Sequence, residues 1–229
     1  MESQQNQMNR NTDELHSQPV RGCSPDGVVL IVGSLGGFKA FQRILASLPR
    51  KAFQGRKGKS VVMMLHRSPS TTTDLGALLQ SHCLLPVSEP DDKDAMVIGH
   101  VYIAPADYHL LLEGRHFALS TEGPVNHSRP AIDPLFQSAA FSFGKNCLAV
   151  ILSGNSDDGA QGAETILKAG GDVWVQNPNE CEAPIMPVAA LALVPSARIL
   201  SLDEITAELV ALGQATQARW KGEGNEPHV

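Results

Sequence analysis

The 229-residue chain is 42% hydrophobic and 18% charged, a composition that excludes a wholly disordered polypeptide. Its net charge of −6 excludes a whole-chain nucleic-acid footprint, which needs a clustered excess of Lys and Arg; short basic stretches such as Arg56–Lys57 read as solvated loop charge. No stretch approaches the ~20 apolar residues of a membrane span, residues 1–26 lack the apolar run of a secretory signal, and Cys23, Cys83, Cys147 and Cys181 form no C-x-x-C pair, so a cytoplasmic protein with reduced thiols and no membrane insertion is expected.

Residues 1–26 are polar and aperiodic and read as a disordered tail. Val28–Val32 is a continuous apolar run, as expected of a strand buried on both faces. Gly33-Ser34-Leu35-Gly36-Gly37 breaks it, and Phe38, Phe41, Ile44, Leu45 and Leu48 then recur at helical spacing before Pro49. Ser60–Leu65 is a second buried strand, ending at His66; Thr73–Ser81 reads as a helix started by the Ser/Thr cluster at Ser70–Thr73. His100–Ala104 is a third strand. Tyr108–Leu112 and His116–Ser120 flank Glu113-Gly114 as a hairpin. Asp133–Phe143 is helical, Cys147–Leu152 is another buried strand, and Gly159–Ala169 is a helix stopped by Gly170-Gly171. Asp172–Gln176 follows as a strand, then Pro187–Leu193 and Leu202–Leu212 as the last helices, with Gln214–Val229 polar and frayed.

This alternation predicts a single-domain, doubly wound α/β fold: a mostly parallel sheet with helices on both faces and a small antiparallel hairpin. The expected domain spans 27–213, between the 1–26 tail and a polar 214–229 tail. In such sheets ligands bind beyond the C-terminal strand ends.

Three polar sites fall after buried strands: Ser34, His66, and the acidic pair Asp157-Asp158. On parallel strands they would converge at one edge, and serine, histidine and aspartate together are the parts for acyl transfer. A serine hydroxyl needs a base to take its proton, an imidazole with an ordinary pKa of about 6.5 suits that task near neutral pH, and a buried carboxylate orients the ring. The glycine turn and helix N-terminus after Ser34, with the Gly154-Asn155-Ser156 loop, offer backbone N–H groups for an oxyanion. Each residue alone has a plainer reading: Ser34 as a helix N-cap, His66 as a loop histidine, Asp158 as a cap for the Gly159–Ala169 helix. Their joint placement outweighs these. A phosphate-binding reading of the glycine turn lacks both G-x-G-x-x-G and G-x-x-x-x-G-K-[ST]. The order Ser…His…Asp and Val32 two residues before Ser34 also differ from an α/β-hydrolase nucleophile elbow.

Ile31–Gly37, Leu65–Arg67, His100–Pro105, Ser128–Asp133, Ile151–Gly159 and Ile185–Pro187 resemble, in order, motifs of the chemotaxis protein-glutamate methylesterases, the CheB family. The resemblance covers about residues 28–212. It implies a serine hydrolase that removes glutamate methyl esters from the cytoplasmic helices of methyl-accepting chemoreceptors, extends to glutamine deamidation there, and uses no cofactor or metal. It places the nucleophile on Ser34, the base on His66, the orienting acid on Asp158, and an oxyanion-hole amide on Asn155, with Leu35 and Gly36 in the supporting loop.

The chain departs from the family pattern in several places. Leu35 stands where the family usually has Thr, Leu65-His66-Arg67 replaces Gln-His-Met, and Gly154-Asn-Ser-Asp-Asp-Gly159 replaces Gly-Met-Gly-Asn-Asp-Gly. Residues 1–26 cannot form the receiver domain that members commonly carry, so a separate regulatory protein is a candidate partner. These departures motivate the alternative of a catalytically weak adaptor that binds receptors without turnover. His109 is expected to be structural, Tyr102 and Met186 to pack, and Arg129 either to brace the site or to meet receptor carboxylates.

Overall fold

The computed structural model describes residues 24–55, 57–67 and 73–221. Seven parallel strands form one sheet: β1 (Gly27–Gly33), β2 (Lys59–Leu65), β3 (Val87–Ser88), β4 (Val101–Ile103), β7 (Cys147–Ile151), β8 (Asp172–Gln176) and β9 (Arg198–Leu200). Their order is β3-β4-β2-β1-β7-β8-β9, and β5 (His109–Glu113) with β6 (His116–Ser120) makes a separate antiparallel hairpin. This is the predicted architecture. The central strand β1 is buried at every position, which explains its unbroken apolar run.

Side chains alternate across the sheet, so each strand feeds two cores. Val29, Ile31, Val61 and Met63 pack with α1 (Gly37–Ser47), α2 (Leu75–Gln80) and α6 (Leu202–Lys221). Val28, Leu30, Val32 and Val62 pack with α3 (Ile132–Phe143), α4 (Ala160–Lys168), α5 (Ile185–Leu193) and the hairpin. From β1 the chain builds toward β2 on one side and later toward β7 on the other, so the strand order reverses at β1. Crevices at such reversals are where open α/β sheets hold ligands.

Several boundaries move. α2 begins at Leu75, capped by Asp74, whose carboxylate accepts the Ala77 N–H at 2.9 Å; it does not start from the Ser/Thr cluster, of which Ser70–Thr72 lie outside the described residues. The edge strands β3 and β9, only two and three residues long, were not expected from the sequence. α6 runs past Gly213 to Lys221, where a frayed tail was expected. There Gly213 is an interior contact rather than a stop: a Cβ on it would lie 2.9 Å from the Ala52 Cβ. Cys83, Cys147 and Cys181 are free thiols, while Cys23 and the tail before it lie outside the described residues.

Candidate active site

Register brings the first two site residues together. β1 and β2 pair with Gly33 opposite Leu65, so Ser34 and His66 are the next residues on adjacent strand ends, and the His66 N–H donates to the Gly33 carbonyl at 3.2 Å. The turn carrying Ser34 is held from the other side by the buried Ser153, just beyond β7. The Ser34 N–H donates to the Ser153 carbonyl at 2.9 Å, and the Ser153 Oγ donates to the Leu35 carbonyl at 2.7 Å. Gly36 then enters α1 with φ of 83°, a left-handed turn for which a residue without Cβ is suited. The Ser34 side chain is not a helix cap; α1 has no side-chain cap at all.

Asp158 comes from the segment that follows β7, as its place in the sequence predicts. It sits beyond β7 in the loop before α4, yet its carboxylate does not cap α4. It turns to the start of α3, where Oδ2 accepts the Ile132 N–H at 2.6 Å and Oδ1 accepts the Asp133 N–H at 3.1 Å. The His66 Nε2 lies 2.8 Å from Oδ2, and the Asn126 amide donates to Oδ1 at 3.1 Å. The carboxylate is completely buried. Burial alone would push its pKa up, but the hydrogen bonds from His66, Ile132, Asn126 and Asp133 outweigh it and hold the group below the ordinary carboxylate range. An anion held by two amides at a helix N-terminus is also favoured by the helix dipole.

Nε2 is committed to Asp158, which leaves Nδ1 without a protein partner among the described residues, the reverse of the ring usage in serine proteases. Ser34 and His66 line two adjoining concavities. One, of about 630 Å³, is walled by Arg67, Asn126, His127, Arg129, Asn155 and Asp157, among others. The other, of about 470 Å³, is walled by Leu35, Gly36, Phe38, Lys39 and Glu182. No hydrogen bond joins Ser34 to His66 among the described residues; such bonds often tighten only when substrate is bound. The backbone N–H groups of Leu35, Gly36 and Asn155 donate to no protein acceptor among the described residues and border this space. They are free for a developing oxyanion. Leu35 itself is 53% exposed.

Three further residues support the site and are marked by no catalytic pattern in the sequence: Asn126, Asp133 and Ser153. Asn126 donates from one amide nitrogen to both Asp158 Oδ1 and Asp133 Oδ2, the latter at 2.9 Å, and so ties two carboxylates together. Asp133 is buried and also accepts the Gly162 N–H at 2.7 Å; burial pushes its pKa up, with the Asp158 charge adding to that. The available signal was an Asn-His pair, of which Asn in particular tolerates the left-handed backbone seen at Asn126 and His127. Arg129 braces the wall: it donates to Asp107 at 3.0 Å and to the carbonyls of Thr121 and Glu122. His109 is buried, bonded to Gly123 and Ala131, and Tyr102 and Met186 pack in the core. Arg67, beside His66, is tied to Glu89 at 2.6 Å. Among the described residues no cluster of His, Cys, Asp or Glu is arranged to hold a metal ion, and no helix is long and apolar enough to cross a membrane.

The model of the CheB methylesterase family matches residues 29–209. A Paraburkholderia xenovorans protein-glutamate methylesterase/protein-glutamine glutaminase is 35% identical over 192 residues, which are 82% of this chain and 51% of that protein. A Leptospira interrogans protein, given the same two activities as a provisional assignment, is 34% identical over 187 residues, 81% of this chain and 94% of that one. The chain thus spans about half the length of some curated relatives and nearly all of others. The crystal structure of the Thermotoga maritima CheB methylesterase catalytic domain superposes with a TM-score of 0.75 at 30% identity, covering 84% of this chain and all of that one.

Proposed function

The chain belongs to the CheB methylesterase family, and from that membership we propose that it hydrolyses glutamate γ-methyl esters on chemoreceptor helices through an acyl-enzyme at Ser34. The observation that carries the reading is the buried, four-donor Asp158 carboxylate aligned on His66 at the strand end beside Ser34. His66 Nδ1 takes the hydroxyl proton as Oγ attacks the ester carbonyl. The oxyanion settles against the Leu35, Gly36 and Asn155 amides, each worth on the order of 3 kcal/mol of barrier. The imidazolium, stabilised by Asp158, returns the proton to the leaving methanol, and water then cleaves the acyl-enzyme by the same route. Applied to a glutamine side chain, these steps would release ammonia, consistent with the paired activities in the relatives' names.

Methanol release from methylated receptor is expected from the wild-type chain, and from Ser34→Ala at a rate lower by at least about a thousandfold. Equal release from both would end the nucleophile assignment. An activity-based fluorophosphonate label separates the non-catalytic adaptor reading: labelling that disappears in His66→Ala fits turnover, and no labelling of the wild type fits an adaptor.

A further inference from the structure

The end of the sheet opposite Ser34 holds another concavity, of about 570 Å³, that none of the chemistry above uses. Four cations meet there from separated parts of the chain: Lys57 and Lys59 at the start of β2, Arg115 in the hairpin turn, and Lys145 just before β7. Leu212 and Ala215 of α6 form an apolar side. Convergence of like charge is costly unless something offsets it. Elsewhere Arg43, Arg67, Lys93, Arg129, Lys168 and Arg198 each sit on a carboxylate. Among the described residues, none of the four cations around this cavity has such a partner.

Lys59 is the most constrained of them. Its Nζ lies where a side chain on Gly27 would collide with it, 2.6 Å from the position a Cβ would take. Burial pulls its pKa below the ordinary lysine value, against the opposing pull of Cys147, Asp26 and Asp172. Arg115 is fixed from behind: Nη1 donates to the Ser142 carbonyl at 3.2 Å and the guanidinium lies 4.2 Å from the centre of the Phe143 ring. Its Nε and Nη2 donate to no protein acceptor among the described residues.

We propose that this cavity binds a phosphate-bearing small molecule. A single carboxylate would satisfy one or two of these donors, whereas a tetrahedral dianion accepts from several directions at once, the lysines acting as point charges and the arginine as a fork. Asp26 in the wall and Asp172 near Lys59 together offset at most two positive charges of the four. The volume lies within the range of small-ligand sites, roughly 300–1,000 Å³, and the Leu212–Ala215 side offers apolar surface to an organic remainder.

Isothermal titration of the full chain with inorganic phosphate and, separately, with a nucleoside diphosphate tests this, with chloride matching the ionic strength. Saturable binding is expected, weakened by salt and by about tenfold or more in Lys59→Gln and in Lys145→Gln. Tighter binding of the nucleotide identifies an organic phosphate as the ligand, and equal binding identifies free phosphate. Absence of saturable binding with both probes, or undiminished binding in Lys145→Gln, overturns the proposal. Thermal unfolding midpoints report whether either variant is misfolded; Lys145 is exposed, so its variant decides the matter even where Lys59→Gln loosens the fold.

Discussion

The Asp158 carboxylate is anchored from several directions. Four donors hold it: one imidazole, two backbone amides and the Asn126 side chain. The amides fix its position with no help from side chains, so Asp158→Asn keeps part of its anchorage but presents a donor where donors already point. A fall in kcat/KM on the order of 10⁴ is expected, the magnitude seen when a triad aspartate becomes an amide. Asn126→Ala asks a finer question. It leaves both carboxylates in place and removes the one donor they share, a charge-assisted bond of about 1.5–3 kcal/mol. The expected result is a drop of about 10–100-fold in kcat with KM little changed, since Asn126 acts through Asp158 on the base. Ester-hydrolysis kinetics of both variants check this; wild-type kcat in Asn126→Ala would show that the bridge is idle.

At the scale of elements, the site depends on how closely α3 and α4 approach. α3 presents its first-turn amides to Asp158, and α4 presents the Gly162 N–H to Asp133. A Cβ at Gly162 would lie 2.5 Å from the Phe136 Cβ and 3.2 Å from the Asp133 backbone. Alanine is the better helix former by about 1 kcal/mol, yet crowding this contact costs roughly 1–3 kcal/mol. We therefore expect Gly162→Ala to lower the unfolding midpoint and to impair hydrolysis by moving Asp133 and its neighbours; a raised midpoint would mean the helices can part freely. Strands such as Val28–Val32 were legible in the sequence because burial on both faces leaves a continuous apolar run. The edge strands were not: Val87–Ser88 is a strand only because β4 lies beside it, and Ile199 is 54% exposed. Likewise Gly213 reads locally as a helix stop, but it packs against Ala52, and its carbonyl accepts the Phe53 N–H at 3.1 Å. Ser34, His66 and Asp158 could be named from their places after strands, but Asn126 and Asp133 could not. Their significance lies in contacts with Asp158, 32 and 25 residues away in sequence.

For the molecule as a whole, the sheet's reversal at β1 sets the candidate active site at one end and a cationic cavity at the other, and its β3–β4 edge carries a group that ties stability to pH. His100, just before β4, stacks on Tyr102 with ring centroids 4.3 Å apart and meets the Ser88 Oγ at 2.9 Å. Burial lowers its pKa to about 4. The unfolded chain takes up this proton near pH 6.5, so the unfolded state binds more protons between those values. The contribution of His100 is therefore complete above about pH 6.5, declines as pH falls, and levels off below about 4, for a total of up to about 3 kcal/mol. Asp158, also depressed, acts in the same direction but further into acid, where the ordinary carboxylate range begins. Replacing His100 with Gln, which can still bond Ser88, is expected to flatten the loss of stability between about pH 6.5 and 4 while leaving the more acidic limb in place. Urea midpoints measured across this range for both chains decide it. Parallel curves would mean that His100 is as easily protonated in the folded protein as in the unfolded chain, and that the β3–β4 edge opens to water far more readily than its packing indicates.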